Sequence, residues 1–173
     1  LSLLDAYKDD IDYRMNGSQP SNATGYKFNF TELDNGIVFK DDNLTVEAFK
    51  VNHGEFEDAY GFRFTSKDKV IVFSGDTGPS KSLEDYAKDA DILVHEVYSY
   101  AGFLQKTKDW QIYHKSHHTS TYEVGEIASR AKPKLLVLSH ILFWGADEQD
   151  ILEETRTTFS GNIKIAEDLM VIK

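Results

Sequence analysis

Three short apolar runs limit this chain more than any other feature: Val70-Ile71-Val72-Phe73, Ile92-Leu93-Val94 and Leu135-Leu136-Val137-Leu138. Each has the length and aliphatic content of a buried strand and is too short for a buried helix. Helical patterns separate them. Ser80–Ala90 turns Leu83, Tyr86 and Ala87 inward, Thr119–Ala131 opens on a Ser/Thr cap, and Asp147–Phe159 follows the third run. Upstream, strand-like runs cover Tyr26–Phe30, Gly36–Lys40, Leu44–Val51, Tyr60–Thr65 and Lys69–Ser74, with a tight turn at Ser66-Lys67-Asp68. Leu44–Val51 alternates, with Leu44, Val46 and Ala48 on one side and Thr45, Glu47, Phe49 and Val51 on the other. Leu1 to Arg14 reads as an amphipathic helix, Asn16–Gly25 and Tyr98–Ser116 as loops, and Ile163–Ile172 as a final strand or hairpin. Antiparallel strands first and helix/strand alternation later predict a layered α/β sandwich. No internal repeat interrupts it.

The chemistry-bearing residues gather where the apolar runs stop. His53 follows Leu44–Val51, Asp76 follows Val70–Ser74, His95-Glu96 closes the run at Ile92, and His140 closes the run at Leu135. Strand ends in open α/β sheets are where loops converge on ligands. Each position has a plainer reading. A lone histidine after a strand is commonly a surface or hydrogen-bonded one. Gly75-Asp76-Thr77 reads equally as a turn that caps the helix at Ser80. His114, His117 and His118 read equally as a solvated cluster. The shared placement of so many of them favours a site.

Composition narrows what such a site holds. The 173 residues suit one domain, or most of one, and the chain contains no cysteine. Thiolate metal sites and disulfides are therefore excluded, leaving His, Asp and Glu as ligands. The net charge of −10 and the absence of a basic stripe argue against a strong autonomous nucleic-acid binder. No apolar run has the length of a membrane span, so a soluble protein of unassigned compartment is expected. Asn-x-Ser/Thr triplets at Asn16, Asn22, Asn29 and Asn43 read as turn and strand residues. The chain opens on Leu rather than Met, as a processed chain or a piece of a longer one would.

The order of motifs is Asn52-His53-Gly54, Tyr60-Gly61-Phe62-Arg63-Phe64, Phe73-Ser74-Gly75-Asp76-Thr77-Gly78-Pro79, Leu93-Val94-His95-Glu96, His118-Thr119-Ser120-Thr121 and Leu138-Ser139-His140. That order resembles the metallo-β-lactamase superfamily, within it the branch of ribonuclease Z and the arylsulfatase-like hydrolases, and the likeness runs over the whole chain. Gly-Asp-Thr alone is a weak signal; the ordered set is specific. The resemblance implies an αββα sandwich, present here as the C-terminal portion of a single domain spanning residues 1–173. It implies two divalent metal ions, zinc first with manganese or iron as alternatives. Carried over by position, His53 and His140 are metal ligands and Asp76 is the carboxylate bridging the two ions. Glu96 and His118 form a catalytic pair in which the histidine assists proton transfer to the leaving oxygen. His95 is structural or supports a neighbouring ligand.

Two departures stand out. The family's main metal motif, His-x-His-x-Asp-His, does not occur in this sequence. The expectation is that the N-terminal part is missing from the chain, that the fragment alone holds two metals poorly, and that one sheet face lacks its cover. A degenerate, non-catalytic homologue is the alternative. The second departure is the short Thr65–Ser74 hairpin where tRNA-processing members carry a long arm. It favours a small phosphate, sulfate or other ester as substrate over tRNA 3′ processing, and leaves nucleic acid disfavoured as a partner. A homodimer is implied only by the resemblance.

Overall fold

The computed structural model describes residues 3–18, 21–22, 24–29 and 31–172. The chain divides into two compact units, Leu1–Glu32 and Leu33–Lys173. The first holds two short helices, α1 (Leu3–Ala6) and α2 (Lys8–Asn16), neither with a buried residue. Lys8 with Asp12 and Arg14 with Asp10 pair across single turns of α2, the spacing at which side chains on one helix face meet. One helix had been expected from Leu1; Leu1 and Ser2 lie outside the described residues. The strand expected at Tyr26–Phe30 does not form over residues 26–29, where the backbone is turn and irregular chain; Phe30 lies outside the described residues.

The second unit is built on one seven-stranded sheet in sequential order. Its strands are β1 (Gly36–Lys40), β2 (Leu44–Lys50), β3 (Tyr60–Ser66), β4 (Val70–Phe73), β5 (Ile92–Tyr98), β6 (Leu135–Leu142) and β7 (Ile163–Ile165). β1 to β4 pair antiparallel and β4 to β7 pair parallel. The changeover falls where tight turns give way to helical crossovers, as parallel pairing requires. The crossovers are α3 (Lys81–Tyr86), α4 (Tyr100–Leu104), α5 (Lys108–His117), α6 (Thr121–Ala131) and α7 (Glu148–Arg156).

α3, α6 and α7 cover one face of the sheet. Their Leu83, Val124, Ile127, Ala128 and Ile151 bury against Phe49, Val72, Leu93, Val97, Leu136 and Leu138. α6 starts on a full capping box, with Ser120 and Glu123 each bonding the other's backbone N–H. The other face carries rows set by strand register: Phe39, Val46, Phe64 and Ile71 in one, Ala48, Phe62, Phe73 and Val94 in the next. Much of it is open, with Phe39 and Phe73 among the exposed apolar side chains. Of the layers an αββα sandwich has, Leu33 onward builds one sheet and one helical layer.

Three differences from the sequence reading bear on the site. The segment read as a loop over Tyr98–Ser116 contains α4 and α5. β5 continues through His95 and Glu96 to Tyr98, and β6 continues through His140 to Leu142. The last strand is confined to Ile163–Ile165.

Candidate functional site

His53, Asp76, Glu96, His118 and His140 come to one rim of the sheet, each by a different local device. β6 delivers His140 through a bulge. Glu96 pairs with Ser139 and Val97 with Ile141, so His140 is the extra residue, and its φ is +44°. Such a bulge re-aims a side chain within a strand. Without it, His140 would follow Leu136 and Leu138 into the helix-covered face. With it, the half-exposed ring turns to Asp76, its Nε2 3.5 Å from Oδ2.

Asp76 stands on the turn after β4. Gly75 has φ +62°, and a β-carbon there would lie 2.6 Å from the Tyr60 carbonyl, so the turn demands glycine. Thr77, fully buried, then locks it. Its N–H donates to Glu96 Oε1 at 3.1 Å, its hydroxyl to the Asn52 carbonyl at 3.1 Å, and its carbonyl accepts from Thr119 Oγ1 at 2.6 Å. One side chain and its backbone thereby tie the His53 turn, β5 and the start of α6 together. The helix-cap reading of Asp76 does not hold: Ser80 occupies the N-cap of α3.

Glu96 points from β5 into this knot and is 2% exposed. Its Oε1 also accepts from Thr119 N–H at 3.1 Å and faces His118 Nδ1 at 3.2 Å. Burial pushes the carboxyl above its usual range, against the donors on Oε1. Burial also pulls His118 down, but the bond to Glu96 and the charges of Glu96 and Asp76 outweigh it and leave the imidazole above its ordinary value. Three donors converging on one oxygen favour the carboxylate–imidazolium form of the pair. With Nδ1 engaged, His118 keeps Nε2 free.

Asp76, His118 and His140 each place one ligand atom within 4.8 Å of the other two. A carboxylate and two imidazoles at that spacing fit a divalent transition metal. His53 is not part of this trio. Its ring lies 5.4 Å from that of His118, and its Nδ1 donates to the His117 carbonyl at 2.8 Å, which leaves Nε2 available, as in ligating histidines whose other ring N–H is held by a carbonyl. Gly54 makes this possible: at φ +56° it lies flat against the His117 imidazole, where any β-carbon would collide. His95 turns the other way, into the core, completely buried. His117 is buried too, stacked on Tyr113 at 4.1 Å with Glu55 3.3 Å from its Nε2. Behind the rim lies a hollow of about 380 Å³ lined by Tyr60, Phe62, Phe64, Phe73, Asp76, Glu96 and His140, among others.

The sequence reading gave Thr77 and Thr119 no role, and read His117 with His114 and His118 as a cluster that could be solvated, whereas His117 is buried. Thr77 and Thr119 sit inside the motifs Gly-Asp-Thr and His-Thr-Ser-Thr, and the motif spacing was their only signal.

A family model described as a β-lactamase superfamily domain matches residues 4–141. The chain belongs to that superfamily. It is 36% identical over 108 residues to a ribonuclease Z of Archaeoglobus fulgidus, covering 62% of this chain and 33% of that protein. A ribonuclease Z of Mycobacterium sp. (strain KMS) is 28% identical over 171 residues, covering 97% of this chain and 59% of that protein. The chain thus spans between a third and three-fifths of the length of these two relatives. Among solved structures, the metallo-β-lactamase fold protein YhfI of Bacillus subtilis superposes with a TM-score of 0.59 at 23% identity, over 75% of this chain and 49% of that one. The fold of this superfamily member is therefore the metallo-β-lactamase fold, and no helix among the described residues is long and apolar enough to cross a membrane.

Proposed function

We propose that the chain supplies one side of a metal-dependent hydrolase site that cleaves an ester bond of a phosphodiester, a sulfate or a related ester. The observation that carries this reading is that Asp76, His118 and His140 each bring one ligand atom within 4.8 Å of the other two, with Glu96 buried beside His118. Of that trio, Asp76 and His140 are the proposed ligands, with His53 from beside it as a third, while His118 is the proton donor; carboxylate and imidazole donors fit zinc, manganese or iron. A bound divalent cation supplies Lewis acidity and a nucleophilic water at neutral pH.

The chain's own residues do the rest. Glu96 fixes the tautomer and direction of His118 through Nδ1. His118 Nε2 then holds a proton toward the leaving oxygen, which departs as an alcohol rather than an alkoxide. Thr77 and Thr119 keep Glu96 aimed. His117, through its carbonyl, keeps the His53 ring turned toward the rim.

For the substrate, the short β3–β4 turn and the net charge of −10 support a small ester. The names of the relatives favour a second reading, 3′ processing of precursor tRNA, and weigh against discounting nucleic acid. Assays of precursor tRNA beside nitrophenyl phosphate and sulfate esters separate the two. His118→Ala tests the mechanism: turnover should fall by on the order of 10²-fold or more, with metal content retained. Equal loss of metal and turnover would make His118 a ligand rather than the proton donor.

A further inference from the structure

Helix α5 has two distinct faces. One carries His114 and His117, whose rings lie beside those of His118 and His53 at the rim. Lys108, Gln111, Ile112 and Lys115 recur at the spacing of a single helix face and fall on the opposite side, where they line a cavity of about 640 Å³. Tyr98 at the end of β5 and Tyr100, Phe103 and Leu104 of α4 supply the rest of its apolar lining. The cavity is held in shape by its own walls. Gln111 Nε2 donates to the Lys106 carbonyl at 3.0 Å, which pins α5 to the turn after α4. Tyr98 and Phe103, both buried, stack at 5.1 Å.

Its chemistry is that of a ligand site. The volume and the mainly apolar lining with a few polar groups match small-molecule sites. Ile112 is 71% exposed and Leu104 54%, so two large apolar side chains stand in water beside the buried rings. The charge is one-sided. Lys108 and Lys115 both line the cavity, and neither makes an ion pair among the described residues. The one acid in the lining, Glu123, already accepts from the Ser120 N–H at 3.0 Å and the Ser120 hydroxyl at 2.6 Å. Two unpaired lysines beside an apolar surface, in a chain of net charge −10, fit an anion with an apolar body. Lys108 opens α5 and Lys115 lies in its last turn. The helix dipole adds positive charge at the first and negative charge at the second, so the anionic head belongs at Lys108. Asp109, in the same first turn, is not part of the lining.

We propose that this cavity binds a small carboxylate with an apolar tail, its head at Lys108 and its tail along Phe103, Leu104 and Ile112. The inference is independent of the hydrolase reading: none of His53, Asp76, His118 and His140 lines the cavity.

Octanoate, hexanoate, butyrate and octanol are titrated by calorimetry into the full chain after chelation, so that no metal competes for the carboxylate. Octanoate should bind saturably at one site, and affinity should rise from butyrate to octanoate by about fourfold for each methylene buried. Octanol should bind several-fold more weakly than octanoate, the scale of an exposed ion pair. Lys108→Met keeps the apolar stem and removes the charge; it should lower octanoate to the affinity of octanol and leave octanol unchanged. Lys115→Met should leave both unchanged, with circular dichroism as the control for folding. The absence of saturable octanoate binding, equal affinities for octanoate and octanol, or a Lys108→Met protein that holds octanoate like wild type would overturn the proposal. So would octanoate binding that disappears with Phe73→Glu, which would place the probe on the open sheet face instead. A dimer in sedimentation that Ile112→Glu dissolves would give the cavity to a second copy of the chain, and would overturn it as well.

Discussion

Replacing His95 by a residue that cannot take a proton should flatten the acid sensitivity of the fold. His95 lies on β5 between Leu93 and Val97 and has no exposed surface. Its Nδ1 donates to the Glu96 carbonyl at 2.6 Å, and its Nε2 has no partner. Burial lowers its pKa to about 4, only partly opposed by that hydrogen bond. The unfolded chain takes up the proton near 6.5, so stability falls as the pH drops from there towards 4. Linkage between those two values gives a loss of about 2 kcal/mol by pH 5 and roughly 3 kcal/mol below pH 4. Glu96 and His118, whose pKa values are raised, act in the opposite sense and gain stability on acidification. They are present in both proteins, so they cancel in a difference between wild type and His95→Gln. Urea unfolding of the two at pH 7 and pH 5 measures that difference. Wild type should lose about 2 kcal/mol more than the variant. Equal losses would mean that the imidazole is not held neutral in the core, and the burial argument would fail.

Other consequences can be measured separately. Gly54→Ala forces a β-carbon against His117 at positive φ and should destabilise the fold by more than about 1 kcal/mol; zinc uptake, followed by competition with a chromophoric chelator, should weaken with it because the His117 carbonyl anchors His53. Ser120→Ala removes the capping box of α6, and its urea midpoint should report a loss of about 1 kcal/mol. Zinc at a hundred times its dissociation constant should stabilise the chain by about 2.7 kcal/mol, read as a rise in melting temperature that Asp76→Ala abolishes. The open sheet face should bind anilinonaphthalene sulfonate, and Phe73→Glu should reduce the signal; a wild-type chain that leaves the dye dark would contradict the exposure of Phe39 and Phe73.

The sequence was readable where local pattern and tertiary role agree. Leu135–Leu138 is a continuous apolar run because both faces of that strand are covered or half-covered, whereas Val70–Phe73 keeps its run although Phe73 stands exposed on the open face. Ser120 and Glu123 announce α6 by their spacing. The end of β6 was placed too early for a physical reason: a strand that ceases to be apolar looks finished, whereas a bulge lets it carry a polar residue, here His140, and continue. α5 was missed because its least exposed positions, 111, 114 and 117, are Gln and two histidines, which give no apolar stripe at helical period. Tyr26 and Phe28 alternate like a strand, yet residues 26–29 adopt turn and irregular backbone, so alternation alone did not decide the structure there. Thr77 and Thr119 act through contacts with segments far away in sequence, so the motifs that contain them mark their positions but not their partners.

The bulge at His140 also sets how easily this site can be lost. Leu136 and Leu138 face the helices before it, and Ile141 and Phe143 face them after it. Removing residue 140 alone would bring Ile141 into the place that strict alternation assigns, and the β5–β6 ladder would run without interruption. A three-nucleotide deletion could therefore leave a chain that folds at least as readily while erasing a proposed ligand. Descendants of this gene that keep the extra histidine, generation after generation, do so against the simpler strand.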